Sequence, residues 1–255
     1  MTMPPLVFAR MAGLVTGAAT GIGAAVAVKL AQAGMDVAVN HFGTPDAADA
    51  VAAKVRALGR QALVVEADVG DPDAVADMFA AIDRHFGRID LLVANAGITR
   101  ALDIFETSLE DWNAVIRTNL TGTFLTTREA MVRMRDAGKG NIVIMGSVVG
   151  HQGALKGHVA YAATKAGLGG LMKTIARTGA PLGIRVNAVA PGIVATDLLT
   201  GTHGPDGIAD LTARVPLGGL AHVDDIADAV LFLASPASGH ITGTVLDVNG
   251  GMLMR

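Results

Sequence analysis

An α/β domain built on a doubly wound, mostly parallel sheet of about seven strands, with helices on both faces, is the architecture expected of this chain. Short apolar runs alternate with longer helical patterns from one end to the other, as repeated βα units do. Several of those runs are apolar at consecutive positions rather than alternate ones, which is how a strand reads when both its faces are covered. The length of 255 residues, with 51% hydrophobic and 17% charged, suits one domain, 1–255, able to complete a core without disulfide or metal.

In chain order, strands are expected at 14–16, 36–40, 62–66, 91–95, 141–146, 185–189 and 244–248. The helices between them are expected at 21–34, 45–58, 72–86, 109–136, 157–179 and 223–234. Two helix starts are legible: Thr44-Pro45-Asp46 sets a capping hydroxyl before a proline at the first helical position, and Asp71-Pro72-Asp73 repeats the device. The segment 198–219 is rich in Gly, Thr and Pro and long for a connection inside a compact domain, so it is expected to act as a substrate lid.

Composition excludes several classes. Twenty Lys and Arg against 23 Asp and Glu give a formal charge of −3. Without a cationic cluster, binding to nucleic acid or an anionic membrane through counterion release is disfavoured. The absence of Cys excludes a disulfide scaffold. The uncharged stretch 11–28 approaches the length of a bilayer span, but four glycines and two threonines break it into a strand, a turn and a helix start. The first ten residues hold one basic residue, two prolines and no long apolar run, so they do not read as a secretory signal. Seven histidines show no HExxH or paired spacing, so no catalytic metal is expected. These observations together predict a soluble, cytoplasmic protein with a small-molecule partner.

Directly after the first strand comes Thr16-Gly17-Ala18-Ala19-Thr20-Gly21-Ile22-Gly23, followed by a helix of small residues. The GxxxGxG spacing lets the backbone turn tightly and approach a pyrophosphate, while amides at the helix N-terminus supply donors and a positive dipole end. Such a turn also serves as a close-packing device alone. Gly17, Thr20, Gly21, Ile22 and Gly23 are therefore candidate dinucleotide-binding residues of a Rossmann domain. Asp68-Val69 follows the third strand and Asn95-Ala96-Gly97 the fourth, both at strand C-terminal ends, where open α/β sheets bind ligands. Asp68 reads either as an adenine contact or as a helix-capping carboxylate, and Asn95 either as a cofactor contact or as an amide bracing neighbouring strands.

A second set of residues suits proton transfer. Tyr161 and Lys165 lie four apart in a helical pattern and so share one face, their Cβ atoms ~5–6 Å apart. A fixed cation beside a phenol favours the phenolate and is expected to lower its pKa from ~10 toward the working range. Ser147, at a strand end fourteen positions earlier, can donate a hydrogen bond to a substrate oxygen. Asn119 can hold a water for proton relay or satisfy backbone groups alone. Tyr161 is the only tyrosine in the chain.

These segments, with Pro191-Gly192, the Gly183-Ile-Arg-Val-Asn187 run before it, and Ile241-Thr-Gly243 and Val248-Asn-Gly-Gly-Met252 near the end, stand in the order and at the separations of short-chain dehydrogenases/reductases. The chain resembles that family over nearly its whole length. Within it, the sequence looks most like 3-oxoacyl-acyl-carrier-protein reductases, with glucose-dehydrogenase-like members close behind. The resemblance implies that Tyr161 exchanges a proton with the carbonyl or alcohol oxygen. It implies that Lys165 binds the ribose and tunes Tyr161, that Ser147 polarises the carbonyl and that Asn119 anchors the relay water. Pro191, Gly192, the Val194 backbone and the Thr196 hydroxyl would hold the nicotinamide end. Two departures stand out: Ala94 replaces one of a usual pair of asparagines, and Gly146 a usual serine. Neither removes a reacting group.

After the second strand the residues are Asn40-His41-Phe42, with no carboxylate to repel a 2′-phosphate, so NADP is expected ahead of NAD. Asn40 and His41 are candidate phosphate donors. The resemblance places Ser147, Val149, His151, His158, Ile193 and the 198–219 lid around the substrate. It also implies a homotetramer, since the helix after Tyr161 presents Ala162, Ala163, Ala166, Gly167, Gly169 and Gly170 as a small-residue face. The expected activity is NAD(P)-dependent hydride transfer with a 3-oxoacyl thioester, free or carrier-protein-bound, or a small ketone. A polyol or sugar dehydrogenase is the alternative among enzymes, and a non-catalytic dinucleotide-sensing or scaffold protein the alternative from another class.

Overall fold

The computed structural model describes residues 8, 11–196, 199 and 205–255. Seven parallel strands form one sheet: β1 Ala12–Val15, β2 Asp36–His41, β3 Ala62–Glu66, β4 Leu91–Ala94, β5 Gly140–Met145, β6 Ile184–Pro191 and β7 Val245–Val248. Their order is β3-β2-β1-β4-β5-β6-β7. The chain winds outward from β1 in one direction and from β4 in the other, so the crevice between β1 and β4 is the switch point of the sheet.

The helices are α1 Gly21–Gln32, α2 Pro45–Ala57, α3 Pro72–Phe86, α4 Leu109–Ile116, α5 Gly122–Ala137, the short α6 Val149–Gln152, α7 Val159–Gly179, α8 Pro205–Ala213 and α9 Val223–Ala234. Alternation along each strand divides the core into two layers. In β1, Val15 packs with Val26, Leu30, Val51, Ile226 and Val230 of α1, α2 and α9. Its neighbour Leu14 packs on the other face with Phe79, Met134, Leu168 and Met172 of α3, α5 and α7. Both layers are fully desolvated, which explains the consecutive apolar residues of the strands. Among the described residues no helix is long and apolar enough to cross a membrane.

Most expected elements are present, and the differences are local. The single helix expected at 109–136 is interrupted by a π-helical turn, Arg117–Thr121, which separates α4 from α5. Such turns cluster at functional sites. Asp71 caps α3 as expected, its carboxylate accepting from the amides of Asp73 at 2.9 Å and Ala74 at 3.0 Å. The Thr44 side chain does not cap α2. The Thr44 amide donates instead to His41 Nδ1 at 3.4 Å, so a residue upstream supplies the acceptor. Of the expected lid, residues 198 and 200–204 lie outside the described residues, and 205–213 form α8 rather than irregular loop.

Candidate active site

The glycine turn lies at the switch point. Gly17 has φ 60°, and a Cβ there would come within 2.9 Å of Ala96 Cα, at the end of β4. At Gly23 a Cβ would lie 2.3 Å from the Gly17 carbonyl oxygen. A side chain at either position would clash with the turn's own packing, so these glycines let the turn close tightly against β4 and the start of α1, the geometry a dinucleotide-binding turn needs. No side chain caps α1 at Thr20, which leaves its first turn facing the crevice. Thr196 closes the other wall: its Cγ2 is 3.8 Å from where a Gly21 Cβ would stand. Val194, in the segment that continues β6 past Pro191 and Gly192, is fixed by a bridge to Ala221.

Several residues expected to touch a cofactor are engaged with the protein's own backbone. Asn95 donates through Nδ2 to the carbonyls of Thr16 at 2.9 Å and Gly17 at 3.1 Å. The amides of Asn95 and Ala96 donate to Thr16 Oγ1, each at 3.0 Å. Asn95 is thus the brace between β1 and β4. Asn40 is buried; its Oδ1 accepts from the Gly17 amide at 3.1 Å and its Nδ2 donates to the carbonyls of His41, Val65 and Ala67. With its amide committed, Asn40 positions the glycine turn rather than donating to a phosphate. His41, also buried, spends Nδ1 on the Thr44 amide.

Asp68 does not cap a helix. One carboxylate oxygen accepts from the Gly70 amide at 2.9 Å, and the other pairs with Arg117 at 2.7 Å. This pair, which sequence reasoning missed, joins the end of β3 to the π-helical turn. Glu66 was missed as well: its Oε1 accepts from the Gly43 amide at 3.1 Å, so a carboxylate from the neighbouring strand reaches the loop after β2. The pairing of His41 with Glu66 across β2 and β3 puts it there, a relation no local pattern in sequence displays.

The candidate reacting groups converge across the end of β5. Ser147 follows that strand, and its hydroxyl lies close enough to the Tyr161 phenol to act on it while accepting from the Val149 amide at 3.1 Å. Lys165 lies on the same face of α7 as Tyr161, its Nζ 5.5 Å from the phenol ring centroid and donating to the Met145 carbonyl at 2.6 Å. Asn119, in the π-helical turn, holds the backbone of Ile98 from both sides, accepting from its amide at 2.8 Å and donating to its carbonyl at 2.9 Å. Nδ2 also donates to Thr164 Oγ1 at 3.2 Å, so the Asn119 side chain braces the β4 loop against α7.

The electrostatics differ from expectation in one respect. Tyr161 is pushed above the usual phenol value by burial, with the Ser147 hydroxyl opposing. Burial likewise lowers Lys165, to about 8. In this arrangement desolvation outweighs the cation that was expected to depress the phenol. Of the expected substrate residues, Val149 and Ile193 are half-buried beside Ser147 and Gly192, and His158 opens α7 three residues before Tyr161. His151 is exposed, and its Nδ1 lies 3.4 Å from the Arg255 guanidinium. Arg255, Asp247 and Lys173 are the charges that act on it, which places the ring toward β7 and the later turns of α7 rather than toward Tyr161.

The matching family model, described as enoyl-(acyl carrier protein) reductase, covers residues 17–253. A 3-oxoacyl-[acyl-carrier-protein] reductase of Synechocystis sp. is 42% identical over 94% of this chain and 96% of its own. A cis-4-hydroxycyclohexanecarboxylate dehydrogenase of Sinomonas cyclohexanicum is also 42% identical, over 96% and 97%. A solved short-chain type dehydrogenase/reductase from Mycobacterium marinum superposes with a TM-score of 0.92 at 34% identity, covering 98% of both chains. With the glycine turn at the switch point and a serine, a tyrosine and a lysine gathered at the end of β5, the chain belongs to the short-chain dehydrogenase/reductase family and is an NAD(P)-dependent oxidoreductase.

Proposed function

We propose that the protein is an NADP(H)-dependent carbonyl reductase acting on a 3-oxoacyl thioester or a small ketone. The observation that carries this reading is the Ser147 hydroxyl facing the Tyr161 phenol, with Lys165 on the same helix face. Ser147 would orient the carbonyl oxygen and Tyr161 Oη would give it a proton. Because burial raises the phenol, it stays protonated through neutral pH, the state a reductase needs. Oxidation of an alcohol needs the phenolate, so that direction should accelerate as pH rises.

The turn 17–23 would hold the pyrophosphate, Asp68 and Val69 the adenine, Lys165 the ribose, and Val194 and Thr196 the carboxamide. Ala96 and Gly97 would line the crevice between them. The nicotinamide supplies the hydride when bound; the chain supplies position and the proton.

Similarity to a 3-oxoacyl-[acyl-carrier-protein] reductase supports a carrier-bound thioester, with the carrier protein as partner. A second reading, a dehydrogenase of cyclic or polyol secondary alcohols, is supported by equal identity to the cyclohexanecarboxylate enzyme. The test follows NADPH and NADH absorbance against 3-oxoacyl and enoyl thioesters, ketones, diketones and sugars, in both directions. Faster reduction of 3-oxoacyl thioesters or ketones is expected; no turnover with any carbonyl would overturn the proposal.

The preference for NADP rests on the absence of an acidic residue at 40–42. His41→Asp is expected to shift the NADPH/NADH ratio of kcat/KM toward NADH by about tenfold, the effect of ~1.4 kcal/mol of added repulsion. Removing the Glu66 charge with Glu66→Gln is expected to shift it the other way. If neither variant moves the ratio, the 2′-phosphate is not bound beside this loop. We also propose a homotetramer, supported by the exposed small-residue face of α7, where Cβ atoms at Gly169 and Gly170 would meet open space. Light scattering near the 25.9 kDa of one chain would contradict it.

A further inference from the structure

Among the described residues, His158 is the one non-glycine with a positive φ, 59°. It is the N-cap residue of α7, three positions before Tyr161. A left-handed backbone at a residue bearing a Cβ costs ~1–2 kcal/mol and persists only where surrounding contacts hold it. Four contacts do so. His158 Nδ1 and Thr99 Oγ1 are hydrogen-bonded at 2.7 Å. The imidazole stands edge-on to the Tyr161 ring, centroids 6.4 Å apart. On either side, Gly157 packs so closely that a Cβ would lie 3.1 Å from the Ala101 carbonyl oxygen, and the Val159 amide donates to the Leu102 carbonyl at 3.5 Å.

The loop so gripped is the one leaving β4 through Asn95-Ala96-Gly97. Its other side is held by Asn119 through both backbone groups of Ile98. Segment 98–102 is therefore pinned by Asn119 from the π-helical turn and by His158 from the head of α7. Neither Thr99 nor the conformation of His158 takes part in the proton transfer proposed above, and stored backbone strain beside a reacting group is an observation that calls for a function.

We infer that His158 is a positioning residue, whose strained backbone and hydrogen bond to Thr99 clamp the β4 loop over the head of α7 and keep water from the Tyr161 hydroxyl. The inference rests on the reading of Tyr161 as the proton donor, and it gives His158 a task different from contacting substrate, one that exists in the ligand-free protein. The polar and ionisable groups facing the phenol are Ser147 from the end of β5 and His158 and Lys165 from α7. With the clamp released, water reaching the phenol should bring its raised pKa down toward the ordinary value of about 10.

Tyr161 is the only tyrosine, so its phenolate absorbance can be titrated without substrate or cofactor. The experiment titrates the ligand-free wild type, Thr99→Val, His158→Gly and His158→Asn, and measures kcat, cofactor KM and thermal stability for each. Thr99→Val and His158→Gly are expected to lower the Tyr161 pKa and to reduce kcat about tenfold with cofactor KM unchanged, since small misplacement of an acid is costly. His158→Gly should do so with thermal stability undiminished, because glycine accepts the left-handed backbone. Asparagine, which tolerates that backbone and can bond Thr99, should restore most of the rate. An unchanged Tyr161 titration in both Thr99→Val and His158→Gly would overturn the inference. A wild type that turns over no carbonyl would overturn the proposed function instead, while the titration would still read the clamp.

Discussion

Tyr161→Phe is expected to reduce turnover by about three orders of magnitude while leaving cofactor affinity within a few fold of wild type. The substitution removes only the hydroxyl, and proton transfer by a positioned side chain contributes ~10²–10⁴ to rate. The ring keeps its place against His158 and Lys165, and the glycine turn, Asn95 and Asn40 that build the cofactor site lie on other elements. Steady-state rates with fluorescence titration of the reduced nucleotide separate the two effects. Turnover close to wild type would remove Tyr161 from the mechanism. Equal loss of turnover and nucleotide binding would mean that the phenol matters for assembling the site rather than for the proton.

Lys165→Met should be as damaging to activity and should weaken nucleotide binding too, because the ammonium is the group proposed to hold the ribose. Its second consequence is a pH-dependent stability difference. Burial lowers Lys165 to about 8, whereas the unfolded chain titrates near 10.5. Between those values the unfolded chain holds a proton that the folded protein has shed, so raising pH through this window stabilises the wild type. Methionine carries no such charge. Wild type should therefore gain about 3 kcal/mol relative to Lys165→Met as pH rises from 8 toward 10.5. Denaturant unfolding of both proteins across that range checks it, and a constant difference would mean that Lys165 is not desolvated in the ligand-free protein. Any fixed effect of losing the hydrogen bond to the Met145 carbonyl drops out of the comparison.

Much of this architecture is readable because it depends on local rules. Consecutive apolar residues in 91–94 and 142–145 follow from strands covered on both sides, and the α3 start at Asp71-Pro72 follows from capping chemistry. The glycines of the turn, and the four-residue spacing of Tyr161 and Lys165 on one helical face, are equally local. The π-helical turn at 117–121 escapes such rules, since apolar periodicity continues on either side of it and only its contacts with Ile98 and Thr164 give it a reason. Helix α8 was hidden by the glycines and prolines around it.

Most of the residues whose surroundings differ from expectation have side chains whose partners are distant in the chain. Asn40 reads as a donor at a strand end, yet Gly17, Val65 and Ala67 consume its amide. His151 reads as close to the reaction because it follows Ser147 by four, yet its neighbour is Arg255. Glu66 and Arg117 carry no motif and matter only because β3 lies beside β2 and the π-helical turn beside Asp68. Even the direction of the Tyr161 shift reverses once burial is known, since spacing reports that a cation is near and says nothing of how much water has been excluded. Fold, family and the grouping of the candidate reacting residues were thus set by patterns short enough to be read along the chain. The bracing, ion pairing and desolvation that make those groups work depend on which strand ends meet at the switch point, and three-dimensional packing alone establishes that.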